Sequence, residues 1–114
     1  MNSDAADYLD TIRKFVLHLP GAEEYICYGT PAFRVKKRLI ARLKEDGETL
    51  AVHADDRDDW TGKDAAIFFV TDHYRNYPMV LVNLAKVTEA DLQQVLFEAW
   101  KQVAPKRLLK SYGV

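Results

Sequence analysis

The sequence predicts a two-layer α+β domain: an antiparallel sheet of about five strands with N- and C-terminal helices packed on one face. Three observations predict it. Apolar residues recur at helical spacing near both ends of the chain, at Ile12, Phe15, Val16 and Leu19 and again at Leu92, Val95, Leu96, Ala99 and Val103. The residues between them alternate apolar and polar over 32–35, 39–44 and 49–53, the period of a half-buried strand. Asp46-Gly47, a favoured pair for a tight hairpin, joins the last two of those runs.

The first helix is expected over about 4–18, with Tyr8 and Leu9 extending its apolar face. Ser3 suits its N-cap, and Asp4 and Asp7 suit the positive end of its dipole. Pro20-Gly21 stops it. Residues 25–28 read as a short strand or an extended lead-in, broken by Gly29-Thr30-Pro31. A type I′ turn at Asp46-Gly47 sets Leu43 opposite Leu50 and Ala41 opposite Val52 on one face. Arg42, Lys44, Thr49 and His53 then fall on the other.

The turn before it is less regular. A two-residue loop, Lys36-Lys37, would pair Arg34 with Leu39 and mix the faces. A three-residue loop, Lys36-Lys37-Arg38, pairs Val35 with Leu39 and keeps the core face apolar, so the longer, bulged turn is expected. Arg34, Arg42 and Lys44 then lie on the sheet face away from the core.

Residues 54–65 are acidic and turn-rich, a loop or short helical turn anchored by Trp60. Runs 67–70 and 79–84 form a second hairpin across the connection 71–78. The second long helix starts near Thr88, where Thr88 and Asp91 make a capping box with Asp in place of Glu. Pro105 ends it, and a short helix follows over 106–111.

The 114 residues suit one domain, 1–114, and at 48% hydrophobic they suffice for a core without metal or disulfide. A lone cysteine, Cys27, allows no internal disulfide, and no apolar leader or membrane-length run is visible, so a cytoplasmic chain with no membrane partner is expected. The formal net charge of −1 excludes coating nucleic acid by bulk charge. The charge is segregated, however. Residues 31–44 carry Arg34, Lys36, Lys37, Arg38, Arg42 and Lys44 with no acid, and residues 101–110 carry Lys101, Lys106, Arg107 and Lys110 with none. Acids concentrate in 1–24 and 45–64.

The stretch Tyr28-Gly29-Thr30-Pro31-Ala32-Phe33-Arg34-Val35 resembles the signature of the MmcQ/YjbR-like proteins. Leu39-Ile40-Ala41-Arg42-Leu43, Phe69-Val70-Thr71-Asp72-His73-Tyr74 and Ala104-Pro105-Lys106-Arg107 fit the same pattern in the same order, over nearly the whole chain. The resemblance implies a frataxin-like, "double-wing" fold and DNA as partner, with two hairpins projecting as wings. It brings no catalytic residues. It would place Gly in the first wing turn, where this chain has Lys37.

The residues expected to contact nucleic acid are Arg34, Lys36, Lys37, Arg38, Arg42 and Lys44 with the connection residues His73, Tyr74 and Arg75 and with Lys106 and Arg107. Each has a plainer reading. Lysines at a hairpin tip protect exposed strands, tyrosines cover a sheet edge, and cations near a helix end answer the dipole. The acids Asp4, Asp7, Asp10, Glu23 and Glu24, and Asp55, Asp56, Asp58 and Asp59, are read as solvated rather than metal-binding. His18, His53 and His73 share no zinc-ligand spacing with Cys27. Cys27 with His53 or His73 as base is a poor case for covalent catalysis, since a cysteine among Tyr25, Ile26 and Tyr28 suits a core position. No nucleotide-binding glycine loop is present. No enzyme, cofactor or metal is therefore expected. The alternative to DNA binding is a module for a protein or small ligand, marked by an apolar groove or exposed aromatic patch.

Overall fold

In the computed structural model, which describes residues 5–114, helix α1 runs Ala5–Val16 and buries Tyr8, Ile12 and Val16. Ser3 and Asp4 lie outside the described residues. Strands β1 (Ala22–Cys27), β2 (Thr30–Val35), β3 (Arg38–Leu43) and β4 (Thr49–His53) follow as a meander. Helix α2 (Arg57–Lys63) leads to the two-residue strand β5 (Phe68–Phe69), a single 3-10 turn at Asp72–Tyr74, and β6 (Met79–Asn83). Helices α3 (Glu89–Val103) and α4 (Lys106–Tyr112) close the chain.

All strand pairs are antiparallel, in the order β1-β2-β3-β4-β6-β5. The sheet has six strands where about five were expected. The sixth is β1, because the extended lead-in is a full edge strand that pairs from Ala22 to Cys27. Pro31 sits near the start of β2, where a missing N–H is tolerated.

One face of the sheet carries the core. Phe33, Val35, Ala41, Leu43, Leu50, Val52, Phe68, Val80 and Val82 pack with α1 and α3 residues and with Trp60 of α2. The apolar stripe predicted for the second long helix is buried throughout, and Trp100 joins it. Trp100 Nε1 donates to the Pro20 carbonyl at 2.9 Å, fixing α3 against the end of the first helical segment. Thr88 caps α3 by accepting the Asp91 amide at 3.1 Å. The outer face carries a second, smaller apolar cluster of Ala51, Met79 and Leu81, flanked by Leu39, Phe69 and Tyr74.

Two turns differ from expectation. The β2–β3 turn has two residues, not three: Val35 pairs with Arg38 and Arg34 with Leu39. The faces are not mixed, because the extra residue sits inside β3. The register shifts between Phe33 and Arg34, Ile40 is skipped, and Ile40 and Ala41 both turn into the core. The bulge is real but lies in the strand, which leaves Lys36 to take a positive φ of 57°.

The register around Asp46-Gly47 is as expected, with Leu43 opposite Leu50 and Ala41 opposite Val52. The turn is not type I′. Gly47 has φ 71° but Asp46 does not turn positive. Instead the Asp46 carboxylate accepts the amides of Glu48 and Thr49, each at 2.9 Å, and the Thr49 hydroxyl at 2.7 Å. A side chain that ties three donors favours an Asx-type turn over the left-handed backbone a I′ turn requires.

Candidate functional site

The sequence-predicted cations divide into two groups. The first gathers at one end of the molecule. Lys36 and Lys37 form the exposed β2–β3 turn, and Arg38, which opens β3, reaches the opposite layer. Its Nη1 donates to the Val103 carbonyl at 3.2 Å, tying the turn to the junction of α3 and α4. Lys106 and Arg107 stand exposed in the first turn of α4. Helix α4 also packs beside the end of β2: a Cβ placed at Gly21 would lie 2.7 Å from Leu108 Cδ1 and 3.2 Å from Val35 Cγ1. Two segments about 70 residues apart thereby share one corner. None of Lys36, Lys37, Arg38, Lys106 and Arg107 is among the ion pairs of the described residues.

The second group lies on the outer face and is interleaved with carboxylates. Arg34 Nε donates to Glu23 Oε1 at 2.8 Å and its guanidinium covers the Tyr25 ring at 4.1 Å. Arg42, with only 8% of its side chain exposed, donates from Nε to the Cys27 carbonyl at 3.0 Å and from Nη2 to Glu45 at 2.7 Å. Lys44 donates to the Tyr74 hydroxyl at 3.0 Å and stands 3.8 Å from Glu45. Arg75 is bound to Asp72. The expectation that Arg34, Arg42 and Lys44 face away from the core holds. His73, Tyr74 and Arg75 do not join the turn at Lys36-Lys37; their connection folds over the outer face instead.

Arg57 explains that fold, and no motif in the sequence flagged it. Nη1 of Arg57 donates to the carbonyls of Tyr74 at 3.0 Å and Tyr77 at 2.7 Å, and Nη2 to that of Arg75 at 2.6 Å. One side chain of α2 thus satisfies three loop carbonyls and pins the connection 71–78.

Between this connection and the β1–β2 turn lies a groove of about 650 Å³. Leu39, Ala51 and Met79 supply its apolar floor, and Tyr28, Tyr74 and Tyr77 its aromatic walls. Cys27 and His73 border it as well. Tyr28 was not singled out as a site residue from the sequence. Tyr28-Gly29 is a two-residue hairpin turn between Cys27 and Thr30, with φ 50° and 81°, the signs of a type I′ turn. The tight left-handed turn expected at Asp46-Gly47 occurs here, with a tyrosine where Asn, Asp or Gly is favoured.

Electrostatics follow these contacts. The hydrogen bond from Arg42 holds the Glu45 carboxyl below the ordinary carboxylate range. Burial acts to lower the Arg42 pKa, but the Glu45 bond and charge outweigh it and leave the guanidinium raised. Burial, reinforced by Cys27, pushes the Tyr25 phenol up against the pull of Arg34 and Arg42. Among the described residues, no three His, Cys, Asp or Glu side chains come together in a metal-binding group. No helix of the described residues is long and apolar enough to cross a membrane.

The chain is similar to uncharacterized proteins of Mycobacterium bovis and of two Mycobacterium tuberculosis strains. Each is 34% identical over 71 residues, 62% of this chain and 49% of the relative. The chain therefore spans about half the length of these curated relatives. No family model matches it. No solved structure matches it.

Proposed function

We propose that this chain binds DNA through the corner formed by the β2–β3 turn and the start of α4. One observation supports the reading above the rest: Lys36, Lys37, Arg38, Lys106 and Arg107 come from distant segments, share one corner and have no carboxylate partner among the described residues. Solvated, unpaired cations release counterions from phosphate most effectively, whereas a cation already neutralised by an acid adds little.

Arg34, Arg42 and Arg75 are neutralised by Glu23, Glu45 and Asp72, Lys44 is turned to the Tyr74 hydroxyl, and all four lie on another face. The contacts proposed are to phosphate, which carries no base information, so binding is expected to be modest, salt-sensitive and indifferent to sequence. The net charge of −1 confines it to that corner. Fluorescence anisotropy of a labelled duplex, titrated with protein at two salt concentrations, tests the proposal.

A further inference from the structure

We infer that the outer-face groove is a binding site for a small planar aromatic monoanion. This inference is independent of the phosphate patch, from which the groove is separate in both position and residues.

Size and lining come first. A hollow of about 650 Å³ falls within the range of small-molecule sites. Its floor is apolar, and its walls present the faces and edges of tyrosine rings, which favour a flat aromatic guest by offset or edge-on stacking. Met79 in the floor adds a polarizable sulfur suited to ring contact.

Tyr28 stands at the mouth of the β1–β2 turn. It is 88% exposed and held at φ 50°, a conformation that costs a non-glycine residue about 1 kcal/mol or more. Among the described residues its ring has a single aromatic or cationic neighbour, the Arg42 guanidinium at 5.3 Å. A strained backbone that presents so exposed a ring to water gains little from packing in the free protein. It gains when a guest covers the ring.

Charge defines the guest further. The Lys, Arg, Asp and Glu side chains lining the groove are Arg42, Lys44 and Glu45, two cations against one acid. Arg42 is already committed to Glu45 and to the Cys27 carbonyl. Lys44 spends one donor on Tyr74 and keeps others available, with its nearest carboxylate at 3.8 Å. A single negative group therefore balances the site at Lys44. A polyphosphate chain does not, because Glu45 and the Asp46 of the adjoining hollow would repel it. The walls are preset, since Arg57 fixes the backbone of the connection, so little ordering is needed on binding.

NMR titration of the whole chain with 2-naphthoate, and in parallel with the neutral 2-naphthamide, tests the inference. Saturable amide shifts are expected around Tyr28, Ala51 and Tyr74, with the acid binding about tenfold more tightly than the amide. Lys44→Met removes that preference, and Lys44→Arg keeps it. Tyr28→Gly weakens both probes roughly fivefold while melting no lower than wild type, because glycine has no Cβ to strain the left-handed turn. Lys36→Gln/Lys37→Gln leaves both affinities unchanged, which separates this site from the DNA-binding corner. Shifts absent from the groove, shifts confined to the Lys36–Arg38 and Lys106 amides, or equal affinity for acid and amide would overturn it.

Discussion

The guanidinium of Arg38 and the carbonyl of Val103, 65 residues apart in sequence, meet at 3.2 Å and close the corner between the β2–β3 turn and α4. The bond has two jobs. It satisfies a carbonyl at the C-terminal end of α3, and it brings Lys36 and Lys37 near Lys106 and Arg107. Arg38→Met keeps the aliphatic stem and removes both the donor and a charge. It is expected to lower stability by about 1 kcal/mol, a fall in Tm of about 4 °C by calorimetry. An unchanged Tm would mean that the bond is not made in solution.

Lys36 adopts φ 57° because the two-residue turn leaves no alternative. Left-handed backbone costs a side-chain-bearing residue about 1–2 kcal/mol, while glycine gives back about 0.5–1 kcal/mol through its more flexible unfolded chain. Lys36→Gly should therefore stabilise by about 0.5 kcal/mol, seen as a higher urea midpoint at unchanged slope. A lower midpoint would contradict the geometry of this turn.

Arg13 clamps Glu24 through two bonds, Nε to Oε1 at 2.7 Å and Nη2 to Oε2 at 2.9 Å, joining α1 to the edge strand β1. The Arg13 bond is the chief cause that holds the Glu24 carboxyl below its ordinary value of 4.5. A group whose folded pKa is depressed contributes stability above its unfolded pKa and loses it as pH falls through the folded one. Both partners are partly exposed, so the contribution is about 0.5–1 kcal/mol at most. Glu24→Gln should melt lower than wild type at neutral pH, and the gap should shrink as pH drops below 4.5. A gap that persists at lower pH would assign the effect to packing rather than charge.

Arg75 provides a contrast. It is a cation in an aromatic, basic stretch, yet Asp72 binds it and its connection covers the outer face. Arg75→Gln is expected to leave duplex affinity and its salt dependence unchanged, measured beside Lys36→Gln. Equal losses from the two variants would show that the neutralised cations also meet phosphate.

Much of this fold is legible in the sequence because pattern and local chemistry agree. The helical stripe from Leu92 to Val103, the Thr88 cap, the Leu43–Leu50 register and the anchoring of Trp60 follow from spacing and residue type together. The turns are less legible. Asp46 chose its side-chain bonds over a left-handed backbone, and Ile40 in β3, rather than a third turn residue, is the bulged position. Both outcomes depend on a competition of about 1 kcal/mol between nearby conformations.

The candidate sites were legible in type but not in grouping. The basic segments stand out in the sequence, but which cations find acids depends on cross-strand neighbours such as Glu23 beside Arg34. Arg57 carries no local signal of its role, since its three partners are backbone carbonyls 17 to 20 residues away. Tyr28 looks like a strand end by composition, and only the backbone shows it turned out over Arg42.

The most direct measurement is the salt dependence of duplex binding by anisotropy, for wild type and for Lys36→Gln/Lys37→Gln. With Lys36, Lys37, Lys106 and Arg107 on phosphates and Arg38 kept on the Val103 carbonyl, log affinity should fall against log salt with a slope near −3.6, and the double variant should lose about 1.8 of it. No binding at low salt, or the same slope in both proteins, would contradict the proposed DNA-binding corner.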